Sequence, residues 1–144
     1  MRTAILLVFI ACSLQAQNST TPGQFHVEHP TLLNLGFEWA IDGDANRNST
    51  VEVRFREAGT SEWRPALPLL RIGGERVYRE QYQMSYTVPD GFAGSILNLE
   101  PGTSYECEFT LKDPDGVSGA AVERVTVATR AEPQPYAGGR VLHV

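Results

Sequence analysis

An all-β sandwich is what this sequence predicts, and three observations predict it. The first is alternation. Leu33, Leu35, Phe37, Trp39 and Ile41 interleave with Asn34, Gly36, Glu38, Ala40 and Asp42; Val51, Val53 and Phe55 interleave with Glu52, Arg54 and Arg56; Tyr105, Cys107, Phe109 and Leu111 interleave with Glu106, Glu108, Thr110 and Lys112. A period of two with one apolar face is the pattern of a strand that buries one side against a second layer. The second is punctuation: residues 42–49 (DGDANRNS), 57–60, Pro89-Asp90-Gly91 and 113–116 (DPDG) break the chain with turn-forming residues. The third is the corner around Leu99, Pro101, Gly102, Thr103 and Tyr105. Pro101 and Gly102 turn the chain, and Tyr105 follows at a spacing that lets its ring enter the core while its hydroxyl reaches back to the corner backbone.

With 144 residues, 42% hydrophobic and 20% charged, the chain suits one domain with a real core. Its 17 acidic and 12 basic residues give a formal charge of −5, a surface poorly matched to nucleic acid.

In chain order, residues 1–16 read as a secretion signal: Arg2 is a basic start, 4–11 an apolar run, and 13–16 (SLQA) a cleavage region, with the cut after Ala16. The run is shorter than the ~20 residues of a membrane span. This predicts a secreted, periplasmic or cell-envelope protein with no membrane span. Lipid anchoring at Cys12 fits poorly, because Phe9 stands at the third position before it. Cleavage would leave Cys107 without a disulfide partner, as a small buried hydrophobe.

Residues 17–29 read as a flexible lead-in, rich in polar and turn-forming types, and 30–130 as the sandwich. Trp39 is expected in the central core. Pro65 and Pro68 keep 62–72 from being an interior strand, so it reads as an edge strand or loop. Residues 71–91 carry Gly73-Gly74 and patchy alternation, and read as an insertion, a hairpin or lid over one edge. From 92 to 99, Ile96 and Leu99 point inward, and 122–130 supplies a last strand with Val125 and Val127 inside. Residues 131–144 read as a linker and the start of a following domain, or as a closing edge strand.

The corner motif, with Leu99, Pro101, Gly102, Thr103 and Tyr105, resembles the turn into strand F of fibronectin type III domains. Together with Gly36-Phe37-Glu38-Trp39, residues 42–48, 51–56, Trp63 and Pro135-Tyr136-Ala137-Gly138-Gly139-Arg140-Val141, it is similar to a group of secreted bacterial proteins. In that group a fibronectin-like N-terminal domain precedes a right-handed parallel β-helix. The resemblance implies a fibronectin type III or immunoglobulin-like Greek-key sandwich with an insertion before strand E. It implies a non-catalytic spacer or docking module whose following domain binds or cleaves polysaccharide. The alternatives are a free-standing module binding carbohydrate or a cell-surface protein, and the N-terminal domain of a secreted metallophosphatase.

No catalytic constellation or cofactor motif stands out. Tyr78, Tyr82, Tyr86 and Phe92, near Arg71, Arg76 and Arg79, are the ligand-binding candidates, since flat rings stack on sugars and arginines bind hydroxyl or carboxylate groups; as coplanar exposed rings they would form a sugar platform. Asp42, Asp44 and Asn46 have the opening spacing of a calcium loop, but Arg47 stands where its glycine belongs and Val53 where its glutamate belongs, which favours a hydrogen-bonded loop with Arg47 paired to Asp42 or Asp44. His26, His29 and distant His143 would have to converge to hold a metal. Glu106 and Glu108 share a strand face, but a glycosidase pair needs a cleft and one raised pKa. Asn18 and Asn48 open glycosylation sequons.

Overall fold

The computed structural model describes residues 17–135 and Gly138. The signal and Cys12, and His143 with most of the tail motif, lie outside these residues. Two four-stranded antiparallel sheets pack face to face. One is ordered β1 (Thr20–Val27), β2 (Leu35–Gly43), β8 (Gly91–Ile96), β5 (Leu70–Ile72). The other is ordered β10 (Val122–Ala128), β9 (Ser104–Lys112), β3 (Thr50–Glu57), β4 (Arg64–Pro65). A separate two-stranded ribbon, β6 (Arg76–Arg79) and β7 (Met84–Thr87), is joined by a 3-10 turn, Glu80–Tyr82. The first sheet is the A-B-E-D set of an immunoglobulin-like sandwich and the second is G-F-C with a short extra edge. The ribbon is the insertion before strand E.

The alternating runs fill the space between the sheets. Leu35, Phe37, Trp39 and Ile41 of β2 meet Val51, Val53 and Phe55 of β3 and Tyr105, Cys107, Phe109 and Leu111 of β9, all buried. The corner forms as its sequence requires: Tyr105 is buried, and its hydroxyl accepts the Glu100 N–H at 3.0 Å. Gly102 turns with φ at +62°, which a side chain would strain. Cys107, two residues beyond the corner tyrosine, is where an immunoglobulin domain places one half of its inter-sheet disulfide; β2 offers no second cysteine, and the thiol is free and buried. Burial pushes its pKa up to about 12.

Four readings are corrected. The lead-in at 17–29 contains the strand β1, paired to β2 from Thr20↔Gly43 to Val27↔Phe37. Pro22 is tolerated because β1 is an edge strand, and the register shifts between Pro22 and Phe25. Phe25 packs 4.9 Å from Phe109 and 5.6 Å from Trp39, between ring centroids. Leu33 lies outside β2 and is half exposed, since residues 31–34 turn on the Thr31 hydroxyl. Phe92 is a core residue, 1% exposed. Finally, the insertion is shorter than 71–91: Leu70–Ile72 pairs with β8 and belongs to the sandwich. Gly94 of β8 stands where Leu69 fills the core, so a side chain there would meet the leucine at 2.9 Å.

Candidate functional site

Two places gather chemistry-bearing side chains: the outer face of the β10-β9-β3-β4 sheet, and the ribbon with its base. Alternation that puts Val51, Val53 and Phe55 inside sends Glu52, Arg54 and Arg56 outward, and β9 does the same with Glu106, Glu108, Thr110 and Lys112. Register then pairs opposite charges, with Arg54 beside Glu108 and Arg56 beside Glu106. Arg54 Nε donates to Glu108 Oε1 at 2.7 Å, and Arg124 Nε from β10 donates to Oε2 at 2.6 Å. Arg56 donates to Glu106 through Nε at 2.8 Å, and Lys112 meets Glu52 at 2.6 Å. Trp63 lies across two of these cations, its ring centroid 4.7 Å from the Arg54 guanidinium carbon and 4.6 Å from that of Arg56.

A shallow groove of about 520 Å³ opens on this face, lined by Glu52, Arg54, Pro65, Pro68, Glu108 and Lys112 among others. Its charged walls are paired with one another. Glu108, with 7% of its side chain exposed, feels burial, which raises its pKa, but the bonds from Arg124 and Arg54 outweigh this and hold the carboxyl below the ordinary glutamate range. A glycosidase general acid needs the opposite shift. The Glu106 and Glu108 pair is thus two ion pairs on a sheet face.

The second place is the root of the ribbon. Asp44, fully buried, is the hub. Its Oδ1 accepts the N–H groups of Asn48 at 2.9 Å and Ser49 at 3.1 Å, and its Oδ2 takes Arg71 Nε at 2.6 Å. Arg71 also reaches Asp90 at 2.9 Å and the Ile72 carbonyl, with its guanidinium carbon 5.8 Å from the Phe92 ring centroid. Burial opposes ionisation of Asp44, yet the bonds from Arg71 and Ser49 hold its pKa below the usual carboxylate range. Burial likewise opposes the charge on Arg71, and its bonds to Asp44 and Asp90 outweigh that and raise its pKa.

The calcium-loop reading of Asp42, Asp44 and Asn46 is replaced by this arrangement. Both Asp44 oxygens are occupied, Asp42 is exposed on the outer side of β2, and Asn46 donates to Asp115 at 2.7 Å. The cation at Asp44 is Arg71 rather than Arg47, which donates to the Gly73 carbonyl at 2.9 Å. His26 lies 3.6 Å from Glu28, and His29 is exposed. Among the described residues no group of three His, Cys, Asp or Glu side chains is placed to hold a metal ion.

Of the four aromatic candidates, Tyr78, Tyr82 and Tyr86 are exposed and Phe92 is not. The ribbon separates the tyrosines. Tyr86 stands opposite Val77 and Tyr78 opposite Ser85, and consecutive residues face opposite sides, so Tyr78 and Tyr86 lie on opposite faces. They form no common stacking platform. Arg71, expected beside the ligand-binding rings, is instead held by Asp44 and Asp90. Trp63 was missed as a site; outward arginines two apart on β3 and acids two apart on β9 were visible in the sequence, but their pairing depends on register.

No protein-family model matches the sequence, and neither does any curated protein. Among solved structures, a computer-based redesign of a β-sandwich protein is similar at 14% identity, over 78% of this chain and 97% of that one, with a TM-score of 0.44. At that distance the likeness carries no functional inference.

Proposed function

We propose that this chain is a non-catalytic spacer or docking module of a secreted, polysaccharide-associated multidomain protein. The observation that carries the reading is the neutralised sheet face: the carboxylate best placed for chemistry, Glu108, is clamped between Arg54 and Arg124 and kept ionised. The path of the chain supports it too. The chain enters at one end of the sandwich, where Ser19 and Thr20 bond to Asp44 and Gly116, and leaves at the other, where Arg130 bonds to Thr31 and Gly102. Modules threaded end to end hold their neighbours apart. The deciding experiment is the mass of the native protein, under denaturing conditions, in culture supernatant and cell envelope, using an antibody against residues 17–130. A mass well above 15.9 kDa is expected. A mass at or slightly below it removes the reading.

A second reading, a free-standing carbohydrate-binding module, rests on single exposed rings, Tyr82 and Tyr86, rather than on a shared platform. Titration with a polysaccharide panel tests it. Saturable binding that Tyr82→Ala and Tyr86→Ala abolish would put it first, and no binding by any polysaccharide would remove it.

A further inference from the structure

We propose that the free edge of β7 pairs with the same edge of a second copy of this chain, joining two ribbons into one four-stranded sheet. Among the described residues the ribbon pairs with nothing else: its two strands form a sheet of their own, and every residue in them is exposed except half-buried Val77. A lone two-stranded hairpin is marginally stable in water, and a third strand or a packed face is what ordinarily secures it.

The two edges of the ribbon differ. β6 carries Arg76 and Arg79, whereas β7 is Met84-Ser85-Tyr86-Thr87, with no charge and no proline. Charged residues and prolines are what proteins use to blunt an exposed edge, and β7 has neither. Pairing β6 with a second β6 would bring arginines together, while pairing β7 with a second β7 opposes no like charges. That asymmetry selects the edge, and its neutrality admits an identical partner.

Register selects the geometry. The Val88 N–H donates to the Glu75 carbonyl at 2.9 Å, so the bonded positions of the ladder fall at Glu75/Val88, Val77/Tyr86 and Arg79/Met84. The backbone groups of Ser85 and Thr87 therefore point outward. An antiparallel partner related by a two-fold axis at Tyr86 bonds Ser85 to the second copy's Thr87 and sets Tyr86 against the second copy's Tyr86 as a non-bonded cross-strand pair, the closer kind. Val77 flanks Tyr86 on the same face, so four apolar side chains form one row across the joined sheet. The ribbon is rooted at the end where the chain enters, through Arg47 on Gly73, and the pairing leaves the exit ends free.

Sedimentation equilibrium of the purified chain from about 10 μM to about 1 mM tests this, a range set by the small interface a four-residue edge can bury. The expected result is a mass that climbs from 15.9 kDa towards twice that value. Ser85→Pro removes an outward N–H, which an edge strand tolerates, together with the exposed hydroxyl that Arg76 Nη2 reaches at 3.5 Å, and is expected to stay monomeric with an unchanged thermal midpoint. Should that variant unfold the ribbon, two cysteine variants decide: Tyr86→Cys is expected to crosslink into a dimer on mild oxidation, and Ser85→Cys to crosslink no faster than wild type. A wild-type mass that never rises overturns the proposal, as does a dimer that survives Ser85→Pro or equal crosslinking at both positions. The outcome is independent of the accessory-module reading, which rests on the mass of the denatured native chain.

Discussion

Replacing Arg71 by methionine leaves the Asp44 carboxylate buried with two backbone N–H groups and no counter-charge. Breaking one half of a buried pair costs about 3–5 kcal/mol, whereas removing both halves is far milder. Urea denaturation of Arg71→Met, against the double variant Arg71→Met with Asp44→Asn, checks this; the single variant is expected to be the less stable of the two. Tyr105→Phe tests the corner. It strips the acceptor from the Glu100 N–H, and because Glu100 is exposed and water can take that N–H, the expected loss is about 1 kcal/mol, the lower end for a broken bond. An unchanged denaturation midpoint would show that the hydroxyl contributes nothing. Tyr105 and Trp39 were legible because large aromatics at alternating positions have one plausible home. Phe92 was not, because its strand reads Gly-Phe-Ala-Gly-Ser-Ile and small residues erase the alternation.

At the scale of elements, β1 and the ribbon make opposite predictions. Phe25 of β1 touches the rings of Phe37, Trp39 and Phe109, so Phe25→Ala is expected to cost about 2–4 kcal/mol in thermal or urea unfolding; a loose lead-in would lose nothing. The ribbon lies outside the core cluster. Replacing residues 75–88 by a short glycine turn, with Gly73 and Asp90 kept, is expected to shift the stability of the sandwich by less than about 1 kcal/mol, since the closure cost of a loop depends only weakly on its length. Gly73 is retained because its φ is +127° and a side chain there would meet Asp90 at 2.5 Å. The insertion was legible as an insertion from its paired glycines. That Leu70–Ile72 belongs to the sandwich was not, because a three-residue strand has too few positions to show a period.

For the whole molecule the depressed pKa values of Asp44 and Glu108 set the response to acid. Their ordinary values are 3.8 and 4.5, and both are lowered in the folded state. Above about pH 5 both are ionised folded or unfolded, and the stabilisation is fully present. As pH falls below 4.5 and then 3.8 the unfolded chain takes up protons that the folded chain refuses, and stability is lost down through the folded values. Thermal midpoints measured between pH 3 and pH 7 are expected to hold flat and then fall below about pH 4.5; a flat profile to pH 3 would show that the two ion pairs stabilise nothing.

The sequence by itself determined the all-β class, the inward faces of β2, β3 and β9 and the tyrosine corner, because each follows from a period of two or a turn within a few consecutive residues. Only the tertiary structure decided which charges neutralise one another. Glu108 lies 54 residues from Arg54 and 16 from Arg124, and Asp44 lies 27 from Arg71. Pairing across strands depends on register, and a shift of one residue would turn Arg54, Glu108 and Arg124 to the other face, while Asp44 meets Arg71 only because the turn after β2 folds against β5. The same cause governed β1, whose Thr-Thr-Pro-Gly opening reads as a turn until β2 is beside it. It also split the tyrosines, which are neighbours in the sequence and opposed in space because the ribbon places consecutive side chains on opposite faces.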